Sequence, residues 1–274
     1  MLTVKTLYAT DPESARGLDT TGLREKFHVG GAFVPGEVRL TYTHYDRMIV
    51  GGAVPAGGEL VLDRVAECGT ESWLDRREAG ILNIGETGTV TAGEQCHTLE
   101  KGDILYIGLG SGPVAFSGNG RFYIVSTPAH RACPTRLIRP ADANEVKLGA
   151  AETSNDRTIY QCIHAGGAES CQLVMGYTRL HGGSVWNTMP AHVHDRRMEA
   201  YLYFDIADGQ RVFHFMGQPQ ETRHLVMANE DIAVSPPWSI HAGAGTGAYT
   251  FCWAMAGDNM AFTDMDMVEI GALR

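Results

Sequence analysis

The sequence predicts an all-β fold made of two β-barrel or sandwich halves with few short helices. Three observations predict it. Short runs rich in β-branched and aromatic residues recur along most of the chain. Glycine turns separate them. A weakly patterned stretch near the middle divides them into two sets, and 274 residues are enough for two small domains.

Residues 1–30 read as a lead-in with one short helix over 21–27. Strands follow at 38–44, which alternates in hydrophobicity, and at 47–50, which ends in the turn Gly51-Gly52. Further strands lie at 79–85, 88–91, 103–108 and 121–126. From 128 to 158 the pattern weakens; Pro128, Pro134, Pro140 and the polar run 141–145 read as a connection. This gives an N-terminal domain over 1–150 and a C-terminal domain over 151–274. In the second, strands are expected at 158–163, 171–180, 211–217, 224–227, 231–235 and 248–255, with a short terminal segment from about 259. Many short strands between glycine turns make a sandwich or barrel.

The halves echo one another. Leu74-Asp75-Arg76-Arg77-Glu78-Ala79 parallels 194–200, and 102–107 parallels 230–235. The alignment sets Ser72 and Leu74 where the second half has His192 and His194, so one half carries a metal and the other does not.

Composition narrows the function. A net charge of −10 argues against a nucleic-acid partner held through phosphates. No apolar run approaches the roughly 18–20 residues of a membrane span, and the N-terminus lacks the apolar core of a signal peptide. The six cysteines are scattered without a Cys-x-x-Cys pair, as in a cytoplasmic protein with reduced thiols.

The chemistry centres on residues 190–204. His192 and His194 are two apart, so an extended strand points both to one face. Glu199 follows five residues after His194, and His241 lies behind Pro236-Pro237-Trp238-Ser239-Ile240. Three imidazoles and a carboxylate suit a divalent transition metal such as zinc, iron, manganese or nickel. His214 and His224 read as core or pocket histidines.

His-x-His-x4-Glu followed by a later histidine behind a proline turn resembles the signature of the cupin β-barrel. Trp238 stands where the second cupin motif has glycine, and the glycine after the glutamate is absent. The resemblance implies two cupin-type jelly-roll barrels in one chain. Longer blocks, 186–199, 213–224 and 235–241 with 18–24, 46–52 and 76–85 in the first half, closely resemble the 5-keto-4-deoxyuronate isomerase family (4-deoxy-L-threo-5-hexosulose-uronate ketol-isomerase). This implies a cytoplasmic bicupin enzyme of pectin and uronate breakdown. It implies one Zn2+ on His192, His194, Glu199 and His241, a hexamer, and conversion of 5-dehydro-4-deoxy-D-glucuronate to 3-deoxy-D-glycero-2,5-hexodiulosonate.

An aldose–ketose shift needs a proton-moving base and a carboxylate anchor. By neighbourhood in the chain, Glu221, His224 and His214 are candidates for the base. Arg223 is the expected anchor, and Gln218 and Gln220 are candidates for the sugar hydroxyls. Arg196 and Arg197 read as structural ion pairs. The alternatives are a cupin dioxygenase, since the same ligands bind iron, the related 5-deoxyglucuronate isomerase, and a sugar-acid binding protein with a structural metal.

Overall fold

A computed structural model describes residues 1–258, 260, 261 and 263–274; the expected start of the terminal segment, 259, and residue 262 lie outside the described residues. The described chain is nearly all β and of cupin type. It forms two compact units. The first comprises residues 1–7, 31–143 and 162–175, and the second 8–30, 144–161 and 176–274.

The first unit has a seven-stranded sheet in the order Leu2–Leu7, Glu37–Thr43, Ile49–Val54, Phe122–Pro128, Arg77–Asn83, Ile104–Ile107, Arg136–Ile138. A four-stranded sheet runs Leu60–Leu62, Val114–Gly118, Gly88–Ala92, Gln95–Leu99. Alternation sends Ala79, Ile81, Leu105 and Ile107 into one apolar core with Trp73 and Leu74. Glu78 faces the other way. Its Oε1 accepts the backbone N–H groups of Gln172 and Leu173 at 2.8 and 2.7 Å, and its Oε2 those of Cys171 and the Tyr106 hydroxyl, both at 2.6 Å. A buried carboxylate so fully hydrogen-bonded is a structural clamp.

The second unit repeats the plan. Its larger sheet runs Asn144–Leu148, Arg157–Ile163, Val174–Leu180, Thr250–Gly257, Arg197–Phe204, Ile232–Ser235, His28–Val29, and its smaller one Trp186–Asn187, Ala242–Gly245, Val212–Gln218, Glu221–Met227. The registers explain the internal echo. Arg77 pairs with Pro128 and Ala79 with Ser126, just as Arg197 pairs with Gly257 and Glu199 with Met255. Ala79, not Glu78, therefore holds the place of Glu199.

The lead-in differs from expectation. It holds a strand, Leu2–Leu7, pairing in parallel with Glu37–Thr43, and two helices, Pro12–Arg16 and Thr20–Phe27. Asp11 and Asp19 cap them, accepting from the backbone N–H of Ser14 and Gly22, each at 2.8 Å. The weakly patterned middle also holds strands, Arg136–Ile138 and Asn144–Leu148; short edge strands with little buried surface carry little hydrophobic signal. All six cysteines are free. No helix among the described residues is long and apolar enough to cross a membrane.

Candidate metal centre and its cavity

His192 lies on the two-residue strand His192–Val193, which pairs with Asp266–Met267 of the terminal segment. The chain then turns through His194 into the strand Arg197–Phe204, which carries Glu199 inward beside Ser235 and Met255. His241 comes from the loop after Ile232–Ser235. Ser239 N–H donates to Pro236 O at 3.0 Å, and the loop is pinned to Gly217 by Ile240 N–H to Gly217 O and Gly217 N–H to Ser239 Oγ, both 2.9 Å. Gly217 has φ +100° and no room for a Cβ, which would lie 2.5 Å from Glu221 O. Trp238 braces the loop from below, its indole N–H donating to Thr10 O at 3.2 Å and its ring packing edge-on to Phe27.

These turns bring one donor atom from each of His192, His194, Glu199 and His241 within 4.8 Å of one another. His194, Glu199 and His241 are buried, and His192 is half-buried. Glu199 Oε2 lies 3.1 Å from His194 Nε2 and 2.9 Å from His241 Nε2, which is itself 2.9 Å from His192 Nε2. His194 Nδ1 donates to Arg197 O at 2.9 Å, and His241 Nδ1 faces Ser235 Oγ at 3.3 Å. With their outer nitrogens engaged, the inner nitrogens are left to offer lone pairs to a common centre. Two such nitrogens 2.9 Å apart cannot both be protonated donors, and a cation between them resolves the crowding. The donor set therefore fits a divalent metal.

Burial and mutual contact set the protonation of these side chains. Burial, aided by the neighbouring His241, pushes the His192 imidazole down to about 3 and keeps it neutral, as ligation requires. Burial opposes charge on Glu199, but the facing histidines win and hold the carboxyl well below its usual range. Burial also opposes charge on His194, yet the Glu199 contact raises it overall.

His192 and Glu199 open on a cavity of about 300 Å³. Its polar lining includes Arg157, Thr178, Thr188, Arg197 and Tyr201, and its apolar lining Phe251, Trp253, Met255 and Met267. Gly176 admits the Trp253 ring: a Cβ there would meet ring carbons at 2.5 Å and Tyr160 O at 2.2 Å. Arg157 donates to Asn155 O at 2.8 Å and has no carboxylate partner among the described residues. Tyr201 OH lies 3.2 Å from Thr188 Oγ1. Burial first, then the Glu199 charge, raise that phenol well above its normal value, so it stays protonated.

The expected base and substrate residues of the hairpin do not line this cavity. Glu221, Arg223, His224, Gln218 and Gln220 belong to the hairpin of Val212–Gln218 and Glu221–Met227, whose second strand is the edge of the smaller sheet. Glu221 accepts from Arg16 Nε at 2.6 Å and from Arg223 Nη2 at 3.3 Å, and Arg223 also donates to Arg16 O. His224 is exposed, 5.8 Å from the Phe213 ring. None of these five residues lines the cavity. His214 is a buried, neutral core histidine, pushed down to about 3 by burial, with the Tyr203 hydroxyl at 2.8 Å from its Nδ1. Arg196 and Arg197 fasten the terminal segment. Arg196 forks onto Asp264 at 3.0 and 2.6 Å and reaches Asp266 at 2.9 Å, and Arg197 donates to Ala261 O and Asp264 O. Sequence reasoning missed Arg157, Thr178 and Tyr201, although Arg157 and Ile159 share one face of a strand by simple alternation.

Comparison with known proteins places the chain. The sequence pattern of the KduI/IolB family matches residues 36–270. The 4-deoxy-L-threo-5-hexosulose-uronate ketol-isomerase of Cereibacter sphaeroides is 64% identical over 274 residues, covering all of both chains. That of Agrobacterium fabrum is 62% identical over the same span, and that of Halalkalibacterium halodurans 52% identical, over 97% of this chain and 99% of the relative. In fold, an IolB-like protein of Salmonella typhimurium matches with TM-score 0.63 at 16% identity, covering 81% of this chain and 86% of that one. Oxalate decarboxylase of Bacillus subtilis matches with TM-score 0.54 at 10% identity, covering 78% and 70%. With a family match over most of its length and full-length relatives above half identity, the chain belongs to the KduI/IolB family.

Proposed function

We propose that this protein is a zinc-dependent aldose–ketose isomerase converting 5-dehydro-4-deoxy-D-glucuronate to 3-deoxy-D-glycero-2,5-hexodiulosonate, a reading supported by full-length relatives named 4-deoxy-L-threo-5-hexosulose-uronate ketol-isomerase. One observation carries the reading: a donor set of three histidines and a glutamate faces the same cavity as an arginine without a carboxylate partner among the described residues. His192, His194, Glu199 and His241 hold the ion, and the cavity takes the keto-uronate.

The reaction moves the C2 proton to C1 and, in net terms, the O2 hydroxyl proton to O1, so that O1 becomes a hydroxyl oxygen and O2 a carbonyl oxygen. When bound, the metal ion supplies Lewis-acid stabilisation of the negative charge that develops on those oxygens. Arg157 holds the substrate carboxylate, a pairing its planar fork favours. Tyr201, kept protonated by burial and by Glu199, donates a hydrogen bond to an oxygen that gains charge. Phe251, Trp253 and Met255 exclude water from that wall of the cavity.

The metal-bearing domain of this reading is the C-terminal one, over 151–274. The wider setting is cytoplasmic pectin and uronate breakdown, with the chain assembled as a hexamer; the free cysteines suit a reducing compartment. The test is proton NMR of the purified protein with 5-keto-4-deoxyuronate under strict exclusion of oxygen. The 2,5-diketo acid is expected to appear. Turnover only after oxygen is admitted would make the protein a dioxygenase instead.

A further inference from the structure

Part of the cavity wall is apolar, formed by Phe251, Trp253, Met255 and Met267. Across the larger sheet the order runs from the strand bearing Glu199 to Thr250–Gly257, then Val174–Leu180, then Arg157–Ile163. Met255 is the direct cross-strand partner of Glu199, and Trp253 that of Tyr201. Directly opposed side chains share a face, with Cβ atoms about 4.5–5.5 Å apart. The indole N–H of Trp253 is committed to Thr178 Oγ1 at 3.2 Å. Beside Glu199 that wall therefore offers a thioether and a ring face. The next polar groups along it are Thr178, one strand further, and Arg157, two strands further.

This order matches the order of groups along a 4-deoxy-5-keto-uronate. We propose that Met255 and Trp253 form the surface that selects for a deoxygenated C4. The C1 and C2 oxygens lie toward Glu199 and His192, the C4 methylene rests on Met255 and Trp253, the C5 carbonyl reaches the Thr178 hydroxyl, and the carboxylate meets Arg157. Met255, Trp253, Thr178 and Arg157 follow one another diagonally across the sheet, with Arg157 farthest from Glu199, and all line the same cavity. A hydroxyl at C4 would be set against the Met255 sulfur and Trp253 ring carbons, which offer it no hydrogen bond, and this lowers affinity by about tenfold to a hundredfold. The inference rests on the isomerase reading and assigns the part of the cavity that separates its substrate from ordinary hexuronates.

The test uses a matched pair that differs only at C4, D-glucuronate and 4-deoxy-D-glucuronate. Their dissociation constants are measured by calorimetry on the metal-loaded wild type, Met255→Gln and Met255→Leu. Metal content and melting temperature are recorded for each, and turnover of 5-keto-4-deoxyuronate is measured alongside. The wild type is expected to bind the 4-deoxy compound at least about tenfold more tightly. Met255→Gln, close in size but with an amide for the hydroxyl, should bring the ratio to within about threefold, and Met255→Leu should keep it near the wild-type value. Should Met255→Gln fail to fold, Met255→Thr serves the same purpose. A wild-type ratio near one, or a ratio that the polar variants leave unmoved, overturns the inference while turnover leaves the isomerase reading standing. A wild type that does not turn over 5-keto-4-deoxyuronate overturns both.

Discussion

Replacing Arg157 with methionine tests the carboxylate end of the cavity. Methionine keeps most of the aliphatic stem that packs beside Ile159, so the strand Arg157–Ile163 is preserved. The substitution removes one hydrogen bond, to Asn155 O, worth about 1 kcal/mol of stability. Its effect on binding is larger. Arg157 has no carboxylate partner among the described residues, so none of its pairing with substrate goes to breaking an existing ion pair. Truncating one partner of a desolvated charged pair costs about 2–5 kcal/mol. Taking about 3 kcal/mol, kcat/KM falls on the order of 100-fold. The carboxylate is remote from C1 and C2, so the contact is equal in ground and transition states and the loss falls on KM. Steady-state kinetics, with metal content measured on the same samples, give the answer. A KM within about threefold of wild type in a fully metallated variant would refute the assignment of Arg157.

Further outcomes follow from the same geometry. Glu221→Gln and His224→Ala should leave kcat within about twofold, because an exposed ion pair to Arg16 contributes only about 0–1 kcal/mol and neither residue lines the cavity; a loss of about a hundredfold in either would return the hairpin to the active site. Gly176→Ala should destabilise by about 1–3 kcal/mol and displace Trp253, which a lowered melting temperature and altered tryptophan fluorescence would report. His214 has a folded-state value of about 3, below its unfolded one, so its contribution is present above about pH 6.5 and is lost as pH falls from there toward 3. Urea unfolding at about pH 6.5 and about pH 5 should therefore show wild type losing roughly 1.5 kcal/mol more than His214→Gln over that interval. Equal losses would mean that His214 is not held neutral.

Much of the donor set was legible in the sequence, because local rules govern it. Close spacing keeps His192 and His194 together, although only His192 lies in a strand and His194 in the turn after it, and a proline turn after a strand returns His241 to the same mouth. That Ala79 rather than Glu78 stands in for Glu199 needed the register. The rest of the cavity was not legible. Arg157, Thr178 and Met255 lie on three strands well separated in the chain, and only sheet order makes them neighbours. Nor does composition mark the stretch 8–30 as part of the second unit, where Thr10 and Phe27 support Trp238 beneath the His241 loop.

Whether His192, His194, Glu199 and His241 hold the ion on which isomerisation depends is open to direct measurement. Elemental analysis of the purified wild type and of His241→Ala is paired with anaerobic turnover of 5-keto-4-deoxyuronate before and after chelation and zinc add-back. About one divalent ion per wild-type chain is expected, with loss of turnover on chelation and its return with zinc, and a His241→Ala protein that is folded but lacks both metal and turnover. A metal-free wild type that turns over at full rate, or a His241→Ala protein with undiminished metal and activity, would show that these side chains do not hold such an ion.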